Sequence, residues 1–357
     1  MINLFFVQKR PSAPLLRLLI LALGLLVMSG CSSLFGVKRT VTVTPLLGPL
    51  SNAGTTELVT EANRMAAVRS IRGKIDIQIL DTSFSESGIA EKYRTADGTV
   101  YLQRPGKIYL KIEAPFVGTN IAEMTSDGER FRVAVLQGDE KYKRFVRGSN
   151  NADYPKLEMD EARVGDKKKK GANGDRTVST LSNLRPQHFT DALLINPIQP
   201  RDVTGMVYAQ SEFYQEEAEI GPRAKKNARV VRGYYLLDEL APGGEMGVRL
   251  VRRFWFDRVG AIRLARMQTF DKVGMLDSDV SYMEPKNFGE DGRLVMPSRV
   301  ELTRPRDRYK LSVSYQSPEA VVFDRDFPSD VFVLENKWQL PELDLDKSEK
   351  QGTGKKQ

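Results

Sequence analysis

The sequence predicts a mainly β (α+β) chain, with one antiparallel sheet that curls around two isolated helices. Three observations predict it. Apolar residues alternate with polar ones through most of the chain, the pattern of strands with one dry and one wet face. The alternating runs are short and separated by Gly- and Pro-bearing turns, as hairpin-connected strands are. Only two stretches carry helical spacing, too few for a helical or alternating α/β architecture.

In chain order, Lys9, Arg10 and Arg17 precede an apolar run, Leu18 to Met28. A basic segment, an apolar segment of this length and small residues before a cut site make residues 1–30 a secretory signal. The run is well short of the ~20 residues that span a bilayer. Its ending, Ser29-Gly30-Cys31, resembles the lipobox of bacterial lipoproteins, with Met28 where Leu is usual. The resemblance implies that Cys31 is acylated and becomes the first residue of the mature chain. A thiolate suits that role because it takes up a diacylglycerol as a stable thioether. Cys31 is the only cysteine, so no disulfide framework competes for it.

Residues 31–55, punctuated by Pro45, Gly48, Pro49 and Gly54, read as an extended tether. Thr55 or Thr56 then caps a helix running to about Arg69, with Leu58, Ala62 and Met65 on one face. From Ile71 the period becomes two. Ile75, Ile77 and Ile79 alternate with Lys74, Asp76 and Gln78, and Ile108, Leu110 and Ile112 alternate with Tyr109, Lys111 and Glu113. Further strands are expected at Val100–Gln103, Ile121–Thr125, Phe131–Leu136 and Tyr142–Val146. Asp97-Gly98, Pro105-Gly106 and Asp127-Gly128 read as hairpin turns, because Gly supplies positive φ and Asp tolerates it. Residues 148–176, with Lys167 to Lys170, read as a flexible basic insertion. Asn183–Leu194 reads as a short helix with Pro186 in its first turn. Strands then return at Val203–Phe213, Val230–Asp238, Val248–Asp257, Ala261–Asp271, Asp279–Met283, Val295–Thr303 and Tyr309–Tyr315. Residues 56–335 thus form one domain, and residues 336–357 a charged tail expected to be disordered.

Composition removes several classes of function. The chain has 54 Lys and Arg against 46 Asp and Glu, a net +8, and part of that excess lies in the signal. Such a balance leaves no nucleic-acid footprint, which needs clustered cations interleaved with aromatics. One histidine, His188, and one acylated cysteine leave little catalytic vocabulary. No nucleophile elbow, phosphate loop, dinucleotide fingerprint or Cys/His metal spacing occurs. The acidic pairs Glu216-Glu217 and Asp324/Asp326 sit in polar turns with no partner to shift them. His188 reads as structural. The expectation is a protein that is not an enzyme and holds no metal or cofactor.

Four segments carry a likeness. They are Val100–Lys107 leading into a strand, Ala114-Pro115-Phe116-Val117-Gly118-Thr119, the helix around Arg185–Leu194, and Met296–Leu302 followed by Arg308–Val313. In this order, and with the lipobox, they resemble the LolA/LolB family of periplasmic lipoprotein carriers and receptors. The resemblance implies a half-open β-barrel with helices as a lid, and an outer-membrane lipoprotein facing the periplasm. It further implies that acyl chains of lipoproteins or lipids are bound and passed to the membrane, with a soluble periplasmic carrier as a possible partner. By that likeness Phe116 and Val117 form a membrane-delivery turn. Alternation places Ile75, Ile77, Ile79, Leu110, Ile112, Val133, Phe256 and Leu264 on the lipid-facing side. The insertion at 148–176, extra sequence at 211–229 and the tail depart from the receptor's pattern. The alternative is a structural or sensor envelope lipoprotein with a filled core that binds protein partners. Hollow volume separates the two.

Overall fold

The computed structural model describes residues 43–82, 91–92, 95–138, 140, 143–152, 154, 184–199, 205–219, 224–243 and 247–347. Cys31, the signal segment, Lys167–Lys170 and the chain beyond 347 lie outside the described residues. The chain divides into residues 1–45 and residues 46–357, and the sheet belongs to the second unit.

Sixteen strands make one sheet. In chain order they are β1 (Ser70–Asp81), β2 (Glu91–Lys92), β3 (Ala96–Gln103), β4 (Lys107–Glu113), β5 (Asn120–Asp127), β6 (Arg130–Val135), β7 (Arg144–Ser149) and β8 (Val207–Ala218). There follow β9 (Arg229–Pro242), β10 (Val248–Asp257), β11 (Arg263–Phe270), β12 (Leu276–Phe288), β13 (Leu294–Arg304), β14 (Tyr309–Tyr315), β15 (Val322–Phe323) and β16 (Glu342–Asp344). The order across the sheet is β16-β7-β6-β5-β4-β3-β1-β14-β13-β12-β11-β10-β9-β8, with β2 and β15 also on β1. All pairs are antiparallel except β16 with β7. β16 and β8, at the two ends, do not meet, so the curved sheet stays a half-open barrel. β1 sits mid-sheet, with Ile77 opposite Ala96 on one side and Val313 on the other.

One face of the curl is dry. Along β4 and β14 every second residue is buried, as alternation predicts for a sheet packed on one side only. Two helices fill that face. α1 (Thr55–Ala66) buries Leu58, Ala62 and Met65, and Glu57 accepts the Gly54 N–H at 3.0 Å to satisfy its first turn. It stops at Ala66 rather than Arg69, because the chain then extends into β1. α2 (Pro186–Leu193) has Pro186 in its first turn and buries Phe189, Ala192 and Leu193. On the convex face Trp255 packs with Tyr234 and Leu236, opposite Phe254 and Phe256.

Three expectations are corrected. Asp97-Gly98 is no turn but lies inside β3, where a Cβ on Gly98 would come within 3.0 Å of Ile77 Cδ1 and 3.1 Å of Ile75 Cγ1. The glycine serves close packing, not a bend. The tether is sewn down from residue 46. Leu46 bridges to Val231, Ser51 donates its N–H to Arg258 at 2.7 Å, and Arg258 reaches Asn52 Oδ1 at 3.0 Å. The tail is ordered to residue 347. Trp338 and Leu340 pack on Phe145 and Leu334, β16 adds to the sheet edge, and Asp346 accepts from Ser149 Oγ at 2.9 Å. Charge in that tail pairs with Arg147 instead of dissolving the segment, at 3.2 Å to Asp344.

The turns at Pro105-Gly106 and Asp127-Gly128 stand as predicted. Gly128 has φ +102, and a Cβ there would lie 2.8 Å from the Pro105 carbonyl oxygen. Gly128→Ala is therefore expected to cost about 1–3 kcal/mol, the usual scale of such strain, read as a lower urea midpoint with an unchanged m-value.

Candidate functional site: a plugged interior and an apolar rim

The structure buries all eight residues expected to face lipid. Ile75, Leu110, Val133 and Phe256 have no exposure at all, and Ile77, Ile79, Ile112 and Leu264 have almost none. They belong to one cluster that also holds α1, α2 and the segment that follows α2. The concave face is thus plugged, by α1 and by residues 184–198. Leu264 borders a cleft of about 80 Å³ that Met65, Tyr282 and Met296 share with the charged residues Glu61, Arg64, Asp257 and Arg263. A second void, among Ile71, Leu193, Phe288 and Val300, is about 10 Å³. A cleft between α2 and strands β10 to β13, lined by Asp191, Asp277, Arg252 and Arg304 over Met267, Val280 and Leu302, is about 250 Å³, and each of these three spaces falls short of the roughly 300–1,000 Å³ of ligand pockets.

Hydrogen bonds hold the plug to the sheet. Asn63 on α1 donates Nδ2 to Ile198 O at 3.1 Å and accepts the Ile198 N–H at 2.8 Å. Arg104, in the β3–β4 turn, donates to Ile195 O at 2.5 Å and to Val68 O at 3.0 Å. Arg252 on β10 donates to Asn196 O at 2.7 Å and Pro197 O at 3.3 Å. Tyr282 donates to Ala192 O at 3.2 Å. His188 Nδ1 shares a 2.5 Å hydrogen bond with the Tyr309 hydroxyl. Burial holds His188 well below its ordinary pKa, with Arg304 and Arg185 adding to it. The histidine is neutral at pH 7 and structural.

Asn63, Arg104 and Arg252 escape a reading by motif. Their signal is slight: Arg252 is one of three arginines in β10, and Arg104 stands just before a Pro-Gly turn.

The second feature is at one rim. The registers run the ends together: Glu113 opposite Asp97, Asp81 opposite Tyr309, Arg304 opposite Tyr309, Phe270 opposite Leu276, and Val248 opposite Pro242. The turns after β4, β9, β11 and β13 therefore share one rim of the half-barrel. Three of them carry exposed apolar side chains. Phe116 and Val117 are 105% and 75% exposed, Val273 and Met275 are exposed at the β11–β12 tip, and Val248 begins β10. In the first turn Ala114 donates its N–H to Thr119 O at 2.8 Å, and Gly118 donates to Ala114 O at 3.1 Å. This closed loop holds Phe116 at φ +67, a left-handed conformation that is unusual for a bulky residue. The loop spends backbone strain to aim a phenyl ring at solvent.

Among the described residues no three His, Cys, Asp or Glu side chains converge as a metal would need. No described helix is long and apolar enough to cross a membrane.

No family model and no curated protein matches the chain. Among solved structures it is similar to a LolA superfamily protein of Nitrosomonas europaea, at 12% identity and TM-score 0.37, covering 79% of this chain and 99% of that one. It is also similar to a DUF1329 family protein of Desulfovibrio piger, at 12% identity and TM-score 0.38, covering 78% and 95%. A third is an outer membrane lipoprotein-sorting protein domain of Vibrio parahaemolyticus, at 10% identity and TM-score 0.35, covering 77% and 95%. The half-open barrel itself rests on the strand order and registers.

Proposed function

We propose that this protein is a lipid-anchored envelope lipoprotein of the outer membrane, facing the periplasm, that receives acyl chains of lipoproteins or lipids and passes them to the bilayer. It performs no catalysis. The observation that carries the reading is Phe116, fully exposed and fixed outward by a left-handed backbone at the rim where Val117, Val273, Met275 and Val248 also face solvent. Exposed apolar side chains gathered at one edge mark a surface made for an apolar partner. Acyl transfer needs no bond chemistry. Burial is worth about 0.8 kcal/mol per CH₂, so a chain does not leave for water but passes between apolar surfaces in contact. The seated plug is then the closed state, and acyl entry displaces residues 184–198 from the dry face. Cys31 supplies the anchor, and a soluble carrier supplies the acylated cargo.

The test uses the chain from Ser32 onward, so that the anchor does not mask the rim, and anionic vesicles. Inserting a Phe or Val side chain is worth about 1.5–3 kcal/mol, so Phe116→Glu with Val117→Glu is expected to weaken vesicle association at least about tenfold. Phe116→Gly is expected to weaken it while stabilising the fold by about 1 kcal/mol, since Gly accepts positive φ freely. Vesicle binding unchanged in both variants sinks the membrane role of this turn.

The filled interior favours a second reading, a structural or sensor lipoprotein that binds protein partners. No uptake of a fluorescent fatty acid under any condition that loosens the plug would leave that reading standing.

A further inference from the structure

The two edges of the sheet are finished differently. At one end the short strand β16 lies along β7, and Trp338 and Leu340 pack beside it. At the other end all 12 residues of β8 pair with β9. Among the described residues nothing pairs with the outer side of β8 from Gln210 to Ala218. Natural edges are blunted by Pro, by Lys, by a bulge or by shortness. β8 has none of these: it reads Val-Tyr-Ala-Gln-Ser-Glu-Phe-Tyr-Gln-Glu-Glu-Ala, and its register with β9 runs without a shift.

That register fixes which backbone groups face outward. Glu219 donates its N–H to Ala228 O at 2.8 Å directly across the ladder, so the odd-numbered residues of β8 bond to β9. On β9 the carbonyls of Val231 and Gly233, opposite Glu216 and Tyr214, turn the other way and accept from Leu47 and Arg258. Gln210, Glu212, Tyr214, Glu216 and Ala218 therefore hold their N–H and C=O groups out along the edge. The acids of the strand are already matched. Glu212 meets Arg258 at 2.8 Å, Glu216 meets Arg229 at 3.1 Å and Glu217 meets Arg232 at 3.3 Å.

We propose that a second copy of this chain covers the edge, two β8 strands pairing antiparallel across a two-fold axis at Phe213. Outward-facing residues must meet outward-facing residues, so the axis falls on a residue and not between two. Centred on Glu212, the pairing sets that acid against its own copy. Centred on Tyr214, it sets Glu212 against Glu216. Centred on Phe213, Glu212 meets Tyr214, Gln210 meets Glu216 and Ala209 meets Glu217, and no acid lies directly opposite another. Phe213 then meets Phe213 in a close, non-hydrogen-bonded pair. Its ring is 39% exposed and packs edge-to-face on Trp255, with centroids 5.1 Å apart. The convex cluster of Tyr234, Leu236 and Trp255 thus becomes continuous across the axis. β8 and the Phe116 turn lie on opposite sides of β1 in the sheet, so this pairing leaves that turn exposed and needs no acyl transfer.

The chain from Ser32 onward tests it, since it keeps every described residue and holds no cysteine. In sedimentation equilibrium it is expected to form a dimer that dissociates on dilution. The amides of Gln210, Glu212, Tyr214 and Glu216 are expected to exchange slowly in the dimer and fast after dilution. Phe213→Cys reads the register. Non-hydrogen-bonded partners hold their Cα atoms about 4.5 Å apart, within the span of a disulfide, so oxidation is expected to give a covalent dimer. Ser211→Cys faces Gln215 of the other copy and is expected not to crosslink. Phe213→Lys sets two ammonium groups against each other, and Glu216→Pro removes an outward N–H without touching the β9 ladder. Each is expected to weaken the dimer at least about tenfold, with the urea midpoint of the monomer nearly unchanged. A monomer at every concentration overturns the proposal. So does a dimer that neither variant weakens, or one that Ser211→Cys crosslinks and Phe213→Cys does not.

Discussion

Glu239→Ala is expected to lower stability by about 3–5 kcal/mol, the cost of stranding a buried charge. Glu239 and Arg252 lie opposite each other on β9 and β10, with side chains 6% and 14% exposed. The carboxylate meets the guanidinium at two points and also takes the Tyr208 hydroxyl at 3.2 Å. Removing it leaves Arg252 enclosed with two plug carbonyls and the face of Phe254 but no counter-charge on β9. Those carbonyls, Asn196 and Pro197, hold the plug as well, so its seat loosens together with the sheet. Urea unfolding reads the global loss, and hydrogen exchange at the Ile195 and Ile198 amides reads the local one. Glu239→Gln keeps an acceptor and should lose less. Replacing both partners, Glu239→Leu with Arg252→Met, should recover much of the global stability and none of the plug protection. Equal loss in the double variant would falsify the account.

Phe189→Ala separates the two readings of the interior. Phe189 is 1% exposed at the centre of the plug helix, and deleting a buried phenyl ring costs about 3–5 kcal/mol. The strands are tied by their own ladders and do not need α2 to stay paired. The loss is therefore expected to appear as undocking of residues 184–198, with the sheet's urea midpoint moving little. It also leaves a dry apolar hole on the concave face, and such holes take up apolar ligands. Uptake of a fluorescent fatty acid is expected to rise at least about tenfold over wild type. Global unfolding with no uptake would show instead that the plug is part of the core, and would favour the partner-binding protein.

Much of the fold is legible in the pattern of residues, for a physical reason. A sheet with one dry face writes that face into every second position, which is why Ile75, Ile77 and Ile79 or Leu311 and Val313 are readable. The Phe116 turn is picked out only by its likeness to the family's turn, since no period in the sequence tells an exposed Phe116 from one folded back on the core. What fills the dry face is not readable. Period two places Leu110 and Ile112 inward whether they meet an acyl chain or Phe189, since alternation records direction and not volume. The polar cleft is hidden for a similar reason. Asp191, Asp277 and Arg304 are far apart in the chain and meet only through a register that no local pattern encodes. Charge misleads at the tail too, where Asp344 and Asp346 find Arg147 and Ser149 from the other end of the domain.

The central position of β1 sets an order of events during synthesis. Its near neighbour, β3, emerges soon after it, but its other neighbour, β14, is nearly the last strand to be made. Until residue 309 has appeared, the half-sheet from β1 to β7 carries an open edge at Ile75, Ile77 and Ile79, the kind of edge that recruits other chains. Closing so long a loop is also slow. A chain truncated before Tyr309 is therefore expected to aggregate rather than to form a smaller domain, which sedimentation of such a fragment checks.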